Sequence, residues 1–429
     1  MTIAAEPIEQ AEVAGTSVFD DLESDVRFYC RRFPVVFDRA QGAELHSEDG
    51  RTFIDFFCGA GTLNYGHNNQ LIKRRVMDYL ADDGVLHGLD MHTVAKREFL
   101  RTFAQVVLGP RELNYKVQFC GPTGTDAVEA ALKLARKATG RSGVVAFTGA
   151  YHGMSRGSLA VTGNRRARRA GGVTGGDIAF VPYEDGPLGP YDSIGLIERM
   201  FADSSSGFDV PAAVIVEPMQ MEGGMYPASG PWLRALREVT ERYGVLLIAD
   251  EIQAGCGRTG TFFCFEQAGI VPDIVTLSKS LGGIGLPLSL VLLRRELDVW
   301  EPGEHTGTFR GNQLAFVAAT AACELWLEST FRTELAAAAR RLDGFRAELD
   351  AVGDGITTRG LGLALGIDLG RTGGGQRAER VQRRAFDAGV IVELCGRDDE
   401  VVKVLPPLVI GVPKLDRGLD ALRDALRTP

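Results

Sequence analysis

The sequence predicts an α/β protein built on a large, mostly parallel sheet with helices on both faces. Short runs of apolar, often β-branched residues recur along the chain, and strands buried on both faces of a parallel sheet have this pattern. The 53 glycines stand at the ends of such runs and not in a low-complexity tract, which indicates tight turns after strands. The predicted strands are Val144–Phe147, Ala213–Val216, Val245–Ala249, Ile274–Leu277 and Leu288–Leu293.

Both ends of the chain predict a second, smaller α+β domain. Near the beginning, Glu44–Phe57 reads as a small β-meander with a turn at Asp49-Gly50. Near the end the predicted elements are a long helix over Thr333–Leu349, a strand over Gly360–Leu369 and a helix over Arg377–Ala388. We therefore expect residues 1–65 to be part of the small domain, residues 66–325 to form the large domain, and residues 326–429 to form the C-terminal small domain.

Composition narrows the class of protein. The 429 residues carry 47 Lys and Arg against 56 Asp and Glu, a formal net charge of -9, and 45% of them are hydrophobic. Such a chain can bury a large core, which excludes disordered and fibrous classes, and its acidic balance argues against a general nucleic-acid binder. The local cluster Arg165, Arg166, Arg168 and Arg169 indicates a solvated face or the rim of an anion site. The glycine- and arginine-rich segment Arg168–Gly176 is predicted to be a mobile surface loop.

No secretory or membrane segment is expected. Glu6, Glu9 and Glu12 follow Met1 where a signal peptide needs a basic and then an apolar region, and nowhere do about 18 apolar residues run together. The seven cysteines are scattered and include no C-x-x-C pair, so neither a disulfide framework nor a zinc site is indicated. We expect a cytoplasmic protein without a metal.

A glycine turn before a predicted helix is the first candidate binding site. The segment Gly121–Asp126 (GPTGTD) follows the strand-like Tyr115–Phe119 and opens a helix that runs to about Lys137. Free backbone N–H groups at a helix N-terminus, beside threonine hydroxyls, are what a phosphate needs. An ordinary capped helix is the alternative for this segment taken by itself. It is not a P-loop, because no Gly-Lys-Ser/Thr follows.

Two further chemical groups stand at the ends of predicted buried strands. Asp250 comes where ligands of open α/β sheets bind, and could hold a metal in an ATPase or face a cationic ring nitrogen of a cofactor. The missing phosphate loop counts against the ATPase. Lys279 comes two residues after the end of the predicted strand Ile274–Leu277, and a glycine-rich segment follows it. A partly desolvated lysine can form a Schiff base with an aldehyde, and a snorkelling surface lysine is the alternative.

A phosphate cradle, a strand-end aspartate and a strand-end lysine together suit pyridoxal 5'-phosphate, which needs an anion site, a partner for its pyridinium N–H and an imine-forming amine. At these residues the chain resembles the fold-type I, class III aminotransferases. Within that class it is similar to the diaminobutyrate:2-oxoglutarate aminotransferases of ectoine and siderophore pathways. The resemblance runs from Cys30 to the C-terminus through Phe56–Asn68, Gly121–Arg136, Tyr151–Asn164, Asp250–Gly260, Ser278–Pro287, Gly303–Asn312 and Val402–Ile410.

The resemblance implies roles for the residues around the cofactor ring. Lys279 would carry the cofactor and act as the general base that moves the substrate proton. Asp250 would keep the pyridinium nitrogen protonated. Tyr151 would stack on the ring with His152 beside it, core packing being the alternative for both, and Gln253 would lie near the phenolic oxygen of the ring.

The resemblance also implies a shared phosphate site. Gly124 and Thr125 would bind the phosphate, and Thr308 would reach it from the neighbouring subunit. The catalytic unit would then be a homodimer, alone or within a larger homo-oligomer.

Three charged residues are implied in substrate binding. Glu217 and Glu222 follow another predicted strand, and in similar enzymes the second acid pairs with a basic residue when no substrate carboxylate is present. That residue is often an arginine, whereas this chain has Lys403, as its diaminobutyrate-handling relatives do. Ala60 and Met154 stand where the similar ornithine aminotransferases have a tyrosine and an arginine, which argues against ornithine as the main substrate.

We therefore expect a diaminobutyrate–2-oxoglutarate transaminase. It would move an amino group between glutamate/2-oxoglutarate and the terminal carbon of aspartate 4-semialdehyde/L-2,4-diaminobutyrate. Another ω-amino acid aminotransferase, of the ornithine or 4-aminobutyrate type, is the alternative within this chemistry. An aminomutase would keep the same cofactor residues and differs by not depending on an amino donor. Small amino acids and 2-oxo acids are the expected partners, with no nucleic acid and no membrane.

Overall fold

The computed structural model describes residues 17–172, 176–352 and 354–427, and a seven-stranded sheet stands at its centre. One strand, Leu290–Arg294, runs antiparallel to both of its neighbours, and the other six run parallel to one another. The predicted α/β class with a large, mostly parallel sheet is confirmed. In spatial order the strands are Tyr115–Phe119, Leu290–Arg294, Ile274–Leu277, Leu246–Asp250, Ala213–Val216, Val144–Phe147 and Ile178–Val181.

Helices cover both faces of this sheet, which explains why its inner strands are largely apolar. In Leu246–Asp250, Ile248 packs with residues of the helix Gly124–Thr139 on one face. Its neighbour Leu247 packs into a second hydrophobic cluster on the other face. Successive side chains of a strand point to opposite faces, so a strand between two helical layers needs apolar residues at both.

Two smaller four-stranded sheets accompany the large one, and the first of them joins the beginning of the described chain to its end. The first is the meander Phe37–Gln41, Glu44–Ser47 and Thr52–Asp55, extended in parallel by Val390–Ile391. The second is antiparallel, in the order Thr357–Leu361, Ala364–Asp368, Val401–Val404 and Glu393–Cys395. The meander with its turn at Asp49-Gly50 is confirmed. The domain boundaries at 65 and 325 stay a prediction, and residues 1–16 of the first predicted unit lie outside the described residues.

Two local predictions need correction. The single strand over Gly360–Leu369 is wrong, because the chain folds back into a hairpin in which Leu361 pairs with Ala364. Gly362 makes the turn with φ +61°, and a Cβ there would overlap the main chain of Thr259. The loop predicted over Arg168–Gly176 begins as a helix, Arg165–Ala170, which the side chain of Asn164 caps by accepting from the Ala167 N–H at 2.9 Å. Residues 173–175 of that loop lie outside the described residues.

The predicted helix over Thr333–Leu349 lies inside the longer helix Ser329–Val352, and the one predicted over Arg377–Ala388 overlaps Gly374–Asp387, which ends one residue earlier. Among the described residues, no single helix is long and apolar enough to cross a membrane, and one pair bent by 79°, Gln313–Leu325 with Ser329–Val352, meets that criterion only jointly. Besides those already given, the α-helices are Ser17–Leu22, Tyr29–Arg32, Gln70–Ala81, Val94–Phe103, Arg156–Ala160, Ser193–Ala202, Gly230–Arg242, Gly374–Asp387 and Val412–Arg427. Cys58–Gly61 is a turn with positive φ at all four residues, and a short ribbon joins Met219–Gln220 to Tyr226–Pro227.

Candidate active site

A cavity of about 320 Å³ opens at the carboxyl edge of the large sheet. Parallel strands end at the same edge, so the residues that follow them are brought together there. The structure places nine of the predicted site residues in the cavity wall and leaves Lys403 and Thr308 out of it. The nine are Gly124, Thr125, Tyr151, His152, Glu217, Glu222, Asp250, Gln253 and Lys279.

One end of the cavity is the N-terminus of the helix Gly124–Thr139. The first N–H groups of a helix have no acceptor within the helix, and Gly124 and Thr125, the first two residues of this helix, line the cavity. Glycine at position 124 avoids crowding, since a Cβ would stand 3.0 Å from the Ile252 side chain, which would have to shift. Gly153, with φ +131°, comes so close that a Cβ would lie 2.6 Å from the Thr125 hydroxyl. This end can therefore hold a compact anion.

A hydroxyl network that the sequence did not predict holds Thr125 in place. Its Oγ1 lies 2.7 Å from the Ser155 hydroxyl and 2.5 Å from that of Ser158. Glu129, one turn further along the helix, accepts from the Ser155 hydroxyl at 2.5 Å and from the Gly157 N–H at 2.7 Å. The i, i+4 spacing of Thr125 and Glu129 is the only sequence signal for this network, and many exposed helix faces share it.

Asp250 and His152 form a buried pair in the middle of the cavity wall. His152 Nδ1 lies 2.6 Å from Asp250 Oδ2, and the His152 side chain has no exposed surface. Burial alone would lower the pKa of His152, but the hydrogen bond and charge of Asp250 raise it above its usual value. Ile252 N–H and the Thr276 hydroxyl donate to the other carboxylate oxygen at 3.1 Å each. These contacts fix the orientation of the Asp250 carboxylate in the cavity wall.

Lys279 enters the cavity from a strained main-chain position. Its own φ is +48°, and its Nζ donates to the carbonyl oxygen of Ala60 at 3.0 Å. Gln253 donates to the same oxygen from Nε2 at 2.7 Å. Burial lowers the pKa of Lys279, against the opposing pull of Glu222. The hydrogen bond to Ala60 thus directs the Lys279 amine, and burial makes this amine lose its proton more easily than an exposed lysine does.

Glu217 lies behind Tyr151, and main-chain N–H groups donate hydrogen bonds to its carboxylate. It accepts from the N–H of Tyr151 at 2.9 Å and from that of Met221 at 3.3 Å. Burial raises its pKa to about 7. Tyr151 itself is 38% exposed in the wall. The predicted substrate contact of Glu217 stays a prediction, and the bond that the structure does show is to the Tyr151 main chain.

Lys403 reaches the cavity only through Glu222. Its Nζ lies 2.5 Å from Glu222 Oε1, the pairing that the resemblance implies, and 2.7 Å from Glu393 Oε2, a partner that the sequence did not predict. Tyr29 donates from its hydroxyl to the other oxygen of Glu393 at 3.0 Å. The two acids together raise the pKa of Lys403 well above its usual value although burial opposes this.

A wider cavity of about 940 Å³ adjoins this site and shares Tyr151 and Glu222 with it. Three residues of the predicted basic cluster, Arg165, Arg166 and Arg168, line it. Thr308 lies elsewhere, on the exposed segment 303–309 apart from the cavity of its own chain. No group of three or more His, Cys, Asp and Glu side chains positioned to hold a metal ion occurs in the described part of the chain.

Comparison with known proteins gives one consistent family. The family described as class-III aminotransferases matches residues 29–426. The diaminobutyrate–2-oxoglutarate transaminase of Bordetella parapertussis is 53% identical, over 94% of this chain and 93% of its own length. That of Streptomyces anulatus is 52% identical, over 96% and 97%. Among solved structures, ornithine aminotransferase from Toxoplasma gondii superposes with a TM-score of 0.82 at 24% identity, covering 96% of this chain and 92% of that one.

Proposed function

The chain belongs to the class-III aminotransferases, and on this basis we propose that it moves an amino group between glutamate/2-oxoglutarate and the terminal carbon of aspartate 4-semialdehyde/L-2,4-diaminobutyrate. The cofactor of this enzyme class is pyridoxal 5'-phosphate. The observation that carries the proposal is the buried contact between Lys403 and Glu222 at the cavity wall, which provides a cation that a carboxylate can reach once Glu222 moves.

The residues at the cavity fit this cofactor. The helix start at Gly124 and Thr125, closed over by Gly153, suits a phosphate. Gln253 Oε1 and His152 Nε2 are buried without a hydrogen-bond partner in the described chain, as expected of groups beside a polar ligand. When bound, pyridoxal phosphate supplies an aldehyde that takes up amino groups and a cationic ring that withdraws electrons.

Lys279 is the group that we propose to attach the cofactor and to move the substrate proton. Burial favours its neutral amine, which is the nucleophilic and basic form. The Ala60 carbonyl accepts the N–H of that amine and sets its direction into the cavity. A general base placed in this way contributes about 10²- to 10⁴-fold to a proton transfer.

Asp250 is the group that we propose to face the ring nitrogen. A carboxylate held by three donors in a buried wall stabilises a cation opposite it far more than an exposed one does. His152 stands behind it and, with its raised pKa, supports the negative charge. Tyr151, at the cavity mouth, is the residue that we propose to cover the ring.

Substrate choice is proposed to rest on Lys403, Ala60 and Met154. A zwitterionic or dicarboxylic substrate needs a cation for its carboxylate, and Lys403 supplies one behind Glu222. Ala60 can contribute only main-chain atoms, and Met154 contributes only an exposed thioether. Neither side chain can therefore bind the charged groups at the far end of ornithine. The names of the 52–53% identical relatives support diaminobutyrate. Rates with 2,4-diaminobutyrate and with ornithine as amino donors, each measured with 2-oxoglutarate as the acceptor, test this choice.

We further propose a cytoplasmic homodimer, with Thr308 completing the phosphate site of the other chain. Apolar side chains exposed near the Thr308 segment support a partner surface. They include Val85, Leu86, Leu89 and Phe309, and Phe309 contacts the ring of His87 at 5.5 Å between centroids. All seven cysteines are free thiols, which suits a reducing compartment. Ectoine biosynthesis as the pathway stays a prediction.

A further inference from the structure

Lys403 is held between two carboxylates that differ in their access to the cavity. Its side chain has no exposed surface, and its Nζ lies 2.5 Å from Glu222 and 2.7 Å from Glu393. Glu222 lines the cavity, and 27% of its side chain is exposed. Only 6% of the Glu393 side chain is exposed, and Glu393 is not part of the cavity wall. One acid therefore faces the substrate, and the other faces the interior.

The interior acid is fixed by the fold. Glu393 and Lys403 are direct neighbours across the antiparallel strands Glu393–Cys395 and Val401–Val404. Tyr29 holds the second oxygen of Glu393 from its hydroxyl at 3.0 Å, and burial raises the pKa of this phenol so that it stays a donor. Glu222, in contrast, follows the two-residue strand Met219–Gln220. A rearrangement of the trio therefore moves Glu222 and leaves Glu393 and Lys403 together.

A substrate carboxylate can reach Lys403 only in the place of Glu222. At the moment when Glu222 leaves, a buried ammonium without a second partner would be strongly unfavourable. Burial also lowers the pKa of an unpaired lysine, by as much as about 3 to 5 units. The site then needs an anion that stays with Lys403 through the exchange, and Glu393 is in position to be that anion.

We propose that Glu393 is a positioning residue, the permanent counter-ion that keeps Lys403 charged and in place while Glu222 gives way to the carboxylate of a dicarboxylic substrate. The inference rests on the proposed function, in which Lys403 binds glutamate or 2-oxoglutarate. Incoming and outgoing carboxylates then replace one another beside a constant Lys403–Glu393 pair.

The other titratable groups near Lys403 do not supply this charge. Cys395, Tyr29 and Tyr151 face it, and burial raises the pKa of each, which keeps all three neutral near pH 7. Lys279 is the remaining neighbour, and an amine carries no negative charge in either protonation state, so it cannot serve as the counter-ion of Lys403. With Glu222 displaced, Glu393 is thus the anion that remains among the described neighbours.

The test measures the binding of glutarate, an unreactive dicarboxylate, to the holoenzyme by calorimetry between pH 7 and pH 9. Glu222→Gln imitates the displaced gate, and in this variant we expect the Kd to change less than about threefold over the range. In Glu222→Gln/Glu393→Gln we expect the Kd to rise at least about tenfold, because an unpaired buried lysine loses its proton there. A Kd as flat in the double variant as in the single one overturns the inference.

Three controls separate the possible causes. Adding Lys403→Arg to the double variant should restore the flat profile, because arginine keeps its charge; a persisting slope would assign the effect to another group and overturn the inference. If the double variant does not fold, Glu393→Asp in the Glu222→Gln background should give a smaller slope in the same direction, and no slope contradicts the role.

Lys403→Met isolates the proposed function from this inference. It should abolish glutarate binding, and retained binding would remove Lys403 from the substrate site and the inference with it. A wild-type enzyme that rejects diaminobutyrate while the pH profiles follow expectation would refute the proposed substrate and leave the role of Glu393 standing.

Discussion

Lys279 and Ala60 meet through a single hydrogen bond, in which the lysine Nζ donates to the alanine carbonyl oxygen at 3.0 Å. Both residues have positive φ, +48° and +55°. Cys58, Gly59 and Gly61, beside Ala60, also have φ between +56° and +82°. Non-glycine residues in this region carry strain that the surrounding structure must offset, and such strain is concentrated at functional sites. The direction of the Lys279 amine, the proposed catalytic group, thus depends on the conformation of the turn that contains Ala60, which is distant in the sequence.

Replacing Lys279 should remove the covalent attachment of the cofactor and nearly all turnover. In Lys279→Ala, we expect a loss of at least about 10²- to 10⁴-fold in kcat, the range for losing a general base. The wild-type protein should be yellow and the variant should hold cofactor only reversibly, which gel filtration followed by absorbance checks. An active Lys279→Ala enzyme would contradict the assignment.

Replacing Asp250 by asparagine should leave the fold intact and slow the reaction. The amide is nearly isosteric but carries no charge to balance a cationic ring, and a loss of about 10²-fold or more in kcat is expected. The matching control is Thr276→Val, which removes one donor to Asp250 but keeps its charge. Rates of Asp250→Asn within a few-fold of wild type, at saturating cofactor, would rule out the role.

Thr308 should act across the dimer. If it completes the partner's phosphate site, mixing Lys279→Ala chains with Thr308→Ala chains gives mixed dimers with one intact site and one lacking both groups. With random exchange, half of the dimers are mixed, so about a quarter of the wild-type activity should return. No recovery after proven subunit exchange would count against sharing.

Substrate preference should follow the residues at positions 60, 154 and 403. We expect 2,4-diaminobutyrate to exceed ornithine in kcat/KM, since Ala60 and Met154 offer ornithine no charged contact. Lys403→Ala should raise the KM for 2-oxoglutarate about tenfold or more, the loss of a hydrogen bond to a charged group, and should raise the KM for the diamine less. Equal use of both diamines would overturn the proposed pocket.

Glu217 should make the protein less stable as the pH rises. Its pKa is about 7 in the folded protein and about 4.5 in the unfolded chain, so the folded state binds the proton more tightly between these values. The penalty is absent below pH 4.5, grows up to pH 7 and is complete above it. Glu217→Gln should thus gain stability relative to wild type, by roughly 1 to 3 kcal/mol at pH 8 and less at pH 5. Melting curves of both proteins at the two pH values measure this difference, and a gain that does not grow with pH would be inconsistent with the shift.

The sequence predicted the elements that follow local rules. The inner strands of the large sheet are largely apolar, Asp250 ends one of them and Lys279 lies two residues beyond the end of another, so the fold class and the clustering of these residues could be anticipated. The hairpin of Thr357–Leu361 and Ala364–Asp368 was missed and Gly360–Leu369 was read as one strand, because the second arm is largely apolar and only the short turn at Gly362, with φ +61°, separates it from the end of the first arm.

Contacts between distant segments could not be read in this way. Glu393 became a partner of Lys403 through strand register, and Tyr29 reaches it from a short helix near the beginning of the described chain. The Ala60 carbonyl is a main-chain atom, and its position depends on four consecutive left-handed residues that composition does not reveal, since only two of them are glycine.

The sheet that joins the beginning of the described chain to its end determines when the active site can be completed during synthesis on the ribosome. Ile54 donates to the Gly389 carbonyl at 2.8 Å, Phe56 donates to that of Ile391 at 2.9 Å, and the Leu405 N–H donates to the carbonyl of Phe56 at 2.7 Å. These bonds fix the chain immediately before the turn that carries Ala60. Pairings of such long sequence separation form late and slowly. A nascent chain in which the central sheet has already folded therefore still lacks the positioned Ala60 carbonyl that accepts the hydrogen bond from Lys279. The chain becomes an active enzyme only after its last strands have been synthesised and paired.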